Sequence, residues 1–485
     1  MTTQIKQLTR QTIVYGAGNV LTRLVTFLLL PLFTNLLTPE EYGLTTLVYI
    51  FLGFMNIIYH CGLDAAFMRH YSETKGNQQK RQFFSTAIWL TLGISGLLSL
   101  FIAGFAKPLS LILVGNSQYH HLFTLTAGIL LLDSLGHIPF ALLRIKEKAG
   151  IFISIKLLNV ITTLGLNIYF VAILNHGIAG IFTSVFLASA ITTLSVFLTT
   201  IFSFRATFSL QLAKTYLTFG LPFVPAGLAT IAMEMIDRYI LASLKDTATV
   251  GIYSAGYKLG IFMLLLTTAF HYAWQPFFLK MGKTDESRLV FAKIFSYFIM
   301  ASLFVWITLS AFIHEIIRFS ISGYSLIGPS YYEAESIVPV ILLAYVFQGA
   351  YLNFLPGIYF EKKSYTIPII ASLGAVVNIA LNFILIPIYG MMGAAAATVG
   401  GYVTMSSVTF FISKRLFAVP YEWNKIIRIV FSAVVSFAVI SLFDETFFLK
   451  LMGILVFIFG IFVLKVLSPE EKKEIAFLFR KDKTG

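Results

Sequence analysis

Long apolar stretches recur along the whole sequence, and they restrict its fold more than any other feature. A transmembrane helix needs about 20 predominantly apolar residues. Fourteen stretches approach or exceed that length: 12–34, 43–63, 83–106, 119–143, 153–174, 178–203, 215–241, 250–275, 290–313, 335–359, 366–388, 392–413, 425–443 and 447–467. Because backbone polar groups must be paired within hydrocarbon, such stretches form helices there. The sequence therefore predicts an all-α polytopic membrane protein with about 14 transmembrane helices.

The basic residues of the loops indicate how these helices are oriented. Cytoplasmic loops of membrane proteins are enriched in Lys and Arg. If the N-terminus is cytoplasmic, the predicted outer loops receive only four basic residues: Lys107, Lys245, Arg318 and Lys450. We therefore expect both termini in the cytoplasm. The same asymmetry explains the net charge of +13 without a nucleic-acid partner.

An internal repeat relates the two halves of the chain. Matching motifs recur about 210 residues apart, the spacing expected of a duplicated helix bundle. The clearest correspondences are Leu166-Asn167 with Leu381-Asn382 and Gly177-Ile-Ala-Gly180 with Gly390-Met-Met-Gly393. Six helices per half is an even number, so both halves enter the membrane from the same side in a parallel repeat. We expect one six-helix bundle at residues 1–204, a second at 205–416, and two additional helices with a basic cytoplasmic tail at 417–485.

The seventh apolar stretch has features that a simple membrane anchor would not need. Pro222 and Pro225 lie near its start, and proline removes a backbone donor and clashes with the preceding turn. A broken helix is tolerated in a membrane where protein or a water-filled cavity surrounds it. Charges at membrane depth usually face the interior of a bundle, and three lie toward the far end of this stretch: Glu234, Asp237 and Arg238. These features predict a transporter in which Pro222 and Pro225 form a hinge.

Three basic residues fall within predicted spans and are candidates for a cationic site: Arg23, Arg238 and Lys258. Arg23 lies about 17 Å into the first helix at about 1.5 Å per residue, near the middle of a hydrocarbon core of about 30 Å. There it either binds a phosphate bidentately or forms a structural ion pair with an acid on another helix. Asn19, one turn earlier on the same face, favours a polar lumen.

The charges of the seventh helix allow two arrangements. Glu234 and Arg238 are spaced i, i+4, so they can pair along their own helix. Asp237 would then need a partner, which Lys258 on the next helix can supply. If both pairs form, they are structural. If Lys258 faces the lumen instead, it lines with Arg23 and Arg238 a basic cavity suited to an anionic cargo.

Acids and a histidine within predicted spans are candidates for ion coupling. Asp133 and His137 lie one turn apart in the fourth predicted helix. Such a pair either exchanges protons with a gradient, or it hydrogen-bonds neighbouring helices or pairs with Arg23. The other candidates for coupling to H+ or Na+ are the acids of the seventh helix: Glu234 and Asp237. An interfacial acid–histidine pair is expected at the inner end of the second helix: His60 and Asp64.

The sequence gives no sign of an enzyme, a metal site or a soluble domain. One cysteine, Cys61, excludes an intramolecular disulfide and provides no metal-ligand spacing. The motifs HExxH, GxSxG and GxxxxGK[ST] do not occur. The longest predicted outer segment, at about residues 314–334, is too short for a catalytic domain. We therefore expect no catalytic activity, no cofactor and no metal.

The broken seventh helix resembles a family motif. Its opening Gly220-Leu-Pro222, with Pro225 and Gly227 and the later Asp237-Arg238, is similar to the pattern of the polysaccharide-transporter branch of the multidrug/oligosaccharidyl-lipid/polysaccharide (MOP) flippases. Supporting matches occur in the order of the family, over about residues 10–415: the stretch around Arg23 ending in Pro31, Leu37 to Gly43, Trp274 to Phe277, and Asn378 to Thr398.

The resemblance implies a V-shaped pair of six-helix bundles around a cationic cavity. Such proteins work by alternating access on undecaprenyl-pyrophosphate-linked glycans, so Arg23, Arg238 and Lys258 would contact pyrophosphate or acidic sugars. The two additional helices resemble fourteen-helix members of the superfamily, which include lipid II flippases. They leave the exact cargo open.

We therefore expect a flippase that carries a lipid-linked oligosaccharide to the outer leaflet of a bacterial plasma (inner) membrane. The repeat unit would belong to a lipopolysaccharide O-antigen, a capsule or an exopolysaccharide, and an H+ or Na+ gradient rather than ATP would drive the transport. Expected partners are this cargo, membrane lipids and a polysaccharide polymerase. The alternatives are a lipid II flippase and a drug or cation antiporter of the same superfamily, whose lumen should be acidic. A membrane-embedded glycosyltransferase or ligase should show a large outer loop, and a scaffold would not need charges at membrane depth.

Overall fold

The computed structural model describes residues 27–321, 323–442, 447–469 and 471. Its helices are α1 Phe27–Leu36, α2 Pro39–His60, α3 Leu63–Glu73, α4 Asn77–Gly104, α5 Ala106–Val114, α6 His120–Ile145, α7 Ala149–Asn167, α8 Gly177–Thr200, α9 Leu210–Gly220, α10 Phe223–Leu244, α11 Thr247–Leu259, α12 Ile261–Met281, α13 Asp285–Ala311, α14 Ile313–Arg318, α15 Val338–Asn353, α16 Pro356–Phe360, α17 Thr366–Tyr389, α18 Met391–Leu416, α19 Trp423–Leu442 and α20 Phe447–Val463. A small antiparallel hairpin, β1 Ser320–Ile321 and β2 Tyr324–Ser325, follows α14.

The predicted class, an all-α polytopic membrane protein, is confirmed. In the described part of the chain, 10 elements are long and apolar enough to cross a membrane. Two bent pairs, α9 with α10 and α11 with α12, reach that length together, which raises the number to 12. The shorter apolar helices α1 and α20 overlap the first and last of the predicted stretches. Residues 12–26 of the first stretch lie outside the described residues.

Local signals set the helix starts. α2 begins at Pro39 because Thr38 caps it: its Oγ1 accepts from the Glu41 amide at 3.3 Å, and the Glu41 carboxylate accepts from the Thr38 amide at 2.9 Å. This reciprocal capping box gives hydrogen-bond acceptors to two backbone N–H groups that would otherwise lack them. Pro39 at the first helical position lacks an N–H that would have been unpaired anyway. The helix start at Thr38-Pro39 is therefore fixed by the sequence.

The chain forms two compact units. The first comprises Met1–Leu259, Ser320–Ala334 and Ala371–Thr398. The second comprises Gly260–Phe319, Glu335–Ile370 and Val399–Gly485. The predicted bundles at 1–204 and 205–416 describe the sequence repeat and stay a prediction.

Close backbone packing organises the first unit. α2 lies against α11, and glycine permits this at two positions: a Cβ on Gly43 would clash with the Thr247 carbonyl, and one on Gly251 would clash with the Pro39 carbonyl. Small residues allow helix backbones to approach closely in membranes. Tyr42-Gly43 and Val250-Gly251 lie 208 residues apart, close to the spacing of the sequence repeat, so equivalent glycines form both sides of this contact.

In the second unit, α19 and α20 pack as a hairpin through small and polar residues. Ser432 Oγ donates to the Phe457 carbonyl at 3.1 Å, and Ser436 Oγ donates to the Gly453 carbonyl at 2.6 Å. A Cβ on Gly453 would meet the Ile440 side chain. Such serine and glycine contacts hold helices together in a medium where apolar burial supplies little driving force.

Candidate functional site

The seventh apolar stretch is interrupted as the prolines predict. α9 ends at Gly220, α10 begins at Phe223, and the two helices are bent by 43° relative to each other. Pro222 occupies the N-cap position of α10 and Pro225 lies in its first turn, where a missing N–H is tolerated. The break is confirmed. Its role as a hinge stays a prediction.

A second break faces the first within the same unit. α2 ends at His60, and Cys61 and Gly62 adopt left-handed φ angles of 45° and 63° before α3 begins at Leu63. A Cβ on Gly220 would clash with the Cys61 carbonyl. The two interrupted helices therefore meet backbone against backbone, and only glycine fits the contact.

Beyond the break, α10 carries a buried ion pair. Arg238 Nη1 donates to Asp237 Oδ1 at 2.6 Å, and the Tyr253 hydroxyl of α11 donates to Asp237 Oδ2 at 2.6 Å. Asp237 is 2% exposed and Arg238 6%. Both carboxylate oxygens are thus hydrogen-bonded, which a charge taken out of water requires.

Asp237 has a different partner from the one expected. Arg238 binds its neighbour Asp237 and, through Nη1, the backbone carbonyl of Glu234. In the described part of the chain no ion pair joins Asp237 to Lys258. Side chains at i and i+1 do not normally face each other on a helix. Here burial reverses that preference, because the long guanidinium can fold back to the adjacent buried carboxylate.

Tyrosine rings surround the two cations of this cluster. The Arg238 guanidinium carbon lies 4.0 Å from the Tyr257 ring centroid and 5.3 Å from that of Tyr253. Lys258 Nζ lies 5.2 Å from the Tyr42 ring centroid. Aromatic faces attract cations without neutralising them. The rings therefore leave both side chains charged.

The other two residues proposed for the cationic site cannot be placed. Arg23 and Asn19 lie outside the described residues. Their assignment to the cavity stays a prediction from the sequence.

The ion-coupling candidates are arranged differently from the sequence expectation. His137 Nε2 lies 3.2 Å from Asp64 Oδ2 of α3, and the His137 ring stacks on His60 with centroids 3.9 Å apart. Arg144, two turns further along α6, lies 3.9 Å from the same Asp64 oxygen. We call Asp64, His60, His137 and Arg144 the histidine cluster.

Asp133 and His137 each hydrogen-bond a neighbouring helix, which is one of the two arrangements expected from the sequence. The Asp133 carboxylate is hydrogen-bonded by Ser189 of α8 and lies near Lys156 of α7. His60 and Asp64, expected as a pair at the end of the second helix, are both contacted by His137. Asp133 and His137 lie one turn apart on the same helix, so a contact between them was possible. The break after His60 orients α3 so that Asp64 lies 3.2 Å from His137.

The sequence analysis did not identify the tyrosines near Arg238 or the basic residues near Asp133 and Asp64. Tyr253 and Tyr257 are spaced i, i+4, and Lys258 directly follows Tyr257. This spacing places both rings on one face of the helix and could have been detected from the sequence. No local spacing connects Lys156 or Arg144 to their acids, because each partner lies on a different helix.

A polar cavity of about 740 Å³ lies in the second unit. Its described lining comprises Lys293, Tyr421, Glu422, Trp423, Asn424, Lys425, Arg428, Lys465, Val466, Ser468 and Glu471. Burial alone would raise the pKa of Glu471, but hydrogen bonds from Lys425, the Ser468 amide and Tyr297 lower it to about 2. None of the predicted site residues lines this cavity.

Metal ligation has no candidate in the residues that the structure describes. They contain no group of three or more His, Cys, Asp or Glu side chains able to hold a metal ion.

Comparison with known proteins gives a family and a fold. The sequence pattern of a family described as "Polysaccharide biosynthesis protein" matches residues 32–323, which is more than half of the chain. No curated protein is significantly similar in sequence.

Solved structures of membrane transporters resemble the chain over most of its length. A lipid II flippase, MurJ, in an inward closed conformation has a TM-score of 0.73 at 18% identity, covering 93% of this chain and 98% of that chain. An inward-facing multidrug resistance MATE transporter of the MOP superfamily has a TM-score of 0.63 at 15% identity, covering 84% and 95%.

A MOP superfamily transporter from Pyrococcus furiosus, described as having a binding pocket of reverse polarity, has a TM-score of 0.57 at 14% identity. This match covers 85% of this chain and 96% of that chain. At such identities the likeness establishes the fold alone.

Proposed function

The chain belongs to the polysaccharide biosynthesis protein family and has the fold of MOP-superfamily transporters, and from this premise we propose that it is a flippase for lipid-linked oligosaccharides. The cargo is an undecaprenyl-pyrophosphate-linked repeat unit of an O-antigen, a capsule or an exopolysaccharide. It moves from the inner to the outer leaflet of a bacterial plasma membrane, with both termini of the protein in the cytoplasm.

The observation that carries the proposal is the environment of Lys258. Its ammonium lies in the apolar α11–α12 segment, beside the Tyr42 ring and near Arg238. No carboxylate forms an ion pair with it among the residues that the structure describes. A cation at membrane depth without an acid is costly and usually functional. A pyrophosphate would neutralise it when the cargo binds.

The broken helix supports transport by alternating access. A glycan headgroup cannot cross hydrocarbon unaided because its hydroxyls would lose their hydrogen bonds to water. A polar lumen that opens to each side in turn hydrates the glycan while the prenyl chain stays in lipid. The α9–α10 break supplies a point at which such a helix can bend.

Lipid II is the second candidate cargo. It shares the pyrophosphate, and the chain has the fold of a lipid II flippase over 93% of its length. A drug or cation antiporter is disfavoured because the Lys258 ammonium, which has no ion-pair partner among the described residues, would repel a cationic cargo. The two lipid-linked cargoes differ in the sugar, so only a transport assay separates them.

Transport in proteoliposomes tests the proposal. Vesicles containing the purified protein would be loaded in one leaflet with a labelled undecaprenyl-pyrophosphate oligosaccharide or with labelled lipid II. We expect the oligosaccharide to move faster. Lys258→Met should weaken cargo binding about 10- to 100-fold, since a hydrogen bond to a charged group contributes about 1.5–3 kcal/mol.

Two further variants serve as controls. Lys258→Arg keeps the charge and should restore binding. Lys245→Met removes an exposed lysine that hydrogen-bonds the Pro387 carbonyl, and it should leave transport intact. Wild-type binding and transport by Lys258→Met would contradict the assignment, and faster movement of lipid II would replace the proposed cargo.

A further inference from the structure

The polar cavity of the second unit lies where two transmembrane helices meet one membrane surface. Its described lining comes from α13, from the start of α19 and from the residues that follow α20. α19 begins at Trp423 and is long and apolar enough to cross a membrane, and α20 ends at Val463. Because α19 and α20 pack as a hairpin, these two ends lie at the same surface. The distribution of basic residues in the sequence predicts that this surface is cytoplasmic.

The described lining of this cavity is basic. It contains two carboxylates, Glu422 and Glu471, and four cationic side chains: Lys293, Lys425, Arg428 and Lys465. The excess of positive charge favours an anionic occupant. The volume of about 740 Å³ lies within the range of small-molecule sites, about 300–1,000 Å³. Basic pockets between transmembrane helices on the cytoplasmic side bind the phosphate-containing headgroups of lipids.

The two carboxylates are already bonded within the protein. Lys425 Nζ lies 2.7 Å from Glu471 Oε1 and 3.4 Å from Glu422 Oε2. The Ser296 hydroxyl donates to Glu422 Oε2 at 2.8 Å. The Tyr297 hydroxyl donates to Glu471 Oε1 at 2.7 Å. The acids therefore hold Lys425 in place, and their hydrogen bonds offset the repulsion that an incoming anion would meet.

Two lysines of the lining have no carboxylate partner. Lys293 and Lys465 are exposed and form no ion pair among the described residues. Arg428, by contrast, donates to the Leu464 carbonyl at the end of α20 at 3.1 Å. Lys465 has a left-handed φ of 51° just after this helix, at a position that glycine usually occupies. The chain therefore accepts the strain of a non-glycine residue where a basic side chain lines the cavity.

An apolar surface begins at the edge of the cavity. Trp423 lines the cavity and is exposed, and the exposed residues Ile427 and Phe431 follow it at i+4 and i+8 on the same face of α19. Tryptophan is enriched at membrane–water interfaces, where its ring lies at the level of the headgroups. A basic cavity that continues into a lipid-facing apolar stripe matches an amphiphile, whereas a soluble phosphate compound would use the cavity alone.

We propose that this cavity binds the headgroup of an anionic phospholipid, whose acyl chains lie along the apolar face of α19. The lipid phosphate accepts hydrogen bonds from Lys293 of α13 and from Lys465 after α20. The bound lipid thereby joins two helices of the second unit. The site is independent of the proposed cargo, because Lys258 belongs to the first unit.

Lipid binding to the purified full-length protein tests the site. The protein in detergent would be titrated with phosphatidylglycerol or with phosphatidylcholine of the same acyl chains, and native mass spectrometry would count the bound lipids. We expect one phosphatidylglycerol molecule to bind more tightly than the others and more tightly than phosphatidylcholine. Lys293→Gln and Lys465→Gln should each weaken this binding about 5-fold, and the double variant about 25-fold, as expected for basic residues at an anionic membrane surface.

Two further variants serve as controls for this titration. Lys280→Gln removes an exposed lysine outside the described lining and should leave the affinity unchanged. Replacing Lys293 and Lys465 together by arginine keeps both charges and should retain binding. Equal affinity for the two lipids, or wild-type affinity in the double glutamine variant, would overturn the proposal.

A soluble competitor distinguishes a lipid from a free phosphate compound. Glycerol 3-phosphate carries the same phosphate chemistry but has no acyl chains to lie on α19. It should not displace phosphatidylglycerol at the concentrations at which the lipid itself binds. Displacement at those concentrations would assign the cavity to a soluble phosphate compound and overturn the lipid assignment.

Crosslinking of the wild-type protein locates the lipid without any variant. Phosphatidylglycerol with a photoreactive acyl chain should label the exposed face of α19 at Trp423, Ile427 or Phe431. Unlabelled phosphatidylglycerol should suppress this labelling, and phosphatidylcholine should not. Labelling of α19 that both lipids suppress equally, or specific labelling confined to other helices, would contradict the proposed site.

Discussion

Two ionisable clusters in the first unit handle charge in opposite ways. Asp237 is held by its sequence neighbour Arg238 and by Tyr253 of the adjoining helix, and both of its oxygens are bonded. The histidine cluster instead assembles residues from three helices, and its His60 Nε2 has no hydrogen-bond partner among the described residues. The two clusters therefore differ in how completely their polar atoms are hydrogen-bonded.

This difference separates two kinds of helix contact. The Asp237–Arg238 pair joins α10 to α11 through the Tyr253 hydroxyl. The histidine cluster lies at the α2–α3 break and connects both helices to α6.

The largest expected effect follows from breaking the saturated pair. Asp237→Asn removes the carboxylate and leaves Arg238 buried beside a neutral amide, which should lower the free energy of unfolding by about 3–5 kcal/mol. Asp64→Asn, whose side chain is 28% exposed, should cost less because water can solvate the remaining groups. Thermal unfolding of the detergent-solubilised protein would compare them. Equal losses of stability in the two variants would mean that the complete hydrogen bonding of Asp237 does not make this carboxylate more important for stability than Asp64.

A smaller effect is expected from the tyrosine that completes this pair. Tyr253→Phe deletes the hydroxyl that donates to Asp237 Oδ2 and should cost about 1.5–3 kcal/mol, as expected for a hydrogen bond to a charged group. Tyr42→Phe is the matched control, because the buried Tyr42 hydroxyl has no hydrogen-bond partner within the described residues while its ring still lies under Lys258. It should be neutral or stabilising. If Tyr42→Phe were destabilised, the Tyr42 hydroxyl would contribute to stability despite having no hydrogen-bond partner among the described residues.

The smallest effect is expected outside the membrane, at the Lys425–Glu471 ion pair of the second unit. Its atoms are 2.7 Å apart, and the folded pKa of Glu471 is lowered from 4.5 to about 2. The pair therefore stabilises the fold fully above about pH 4.5, and this contribution is lost as the pH falls toward 2. Because the amide oxygen in Glu471→Gln can still accept hydrogen bonds from Lys425, Tyr297 and the Ser468 amide, the expected loss in that variant is only about 1 kcal/mol.

Glu471→Gln tests this ion pair. Unfolding of the variant and of wild-type protein should differ at neutral pH and converge as the solution becomes acidic. A difference that persists unchanged in acid would show that the pair acts by packing rather than by charge.

Much of the fold and part of the site were predictable because their causes are local. The length of the apolar stretches requires helices, Thr38-Pro39 starts α2, and Pro222 interrupts the seventh stretch whatever surrounds it. The membrane depth of Arg238 and Lys258 follows from counting residues along a helix. The importance of Asp237 and His137 was also visible, because charges are rare in apolar stretches.

The sequence by itself determined where helices lie, where one breaks and which charges enter the membrane, since each depends on residues within a few turns. Only the tertiary structure decided the partners. The sequence offered Lys258 as the partner of Asp237, but Arg238 and Tyr253 bind it, and the turn at Cys61-Gly62 brings Asp64 to His137. The partner of a buried charged side chain depends on which side chains of other helices pack next to it. The spacing of residues along one helix contains no information about those contacts.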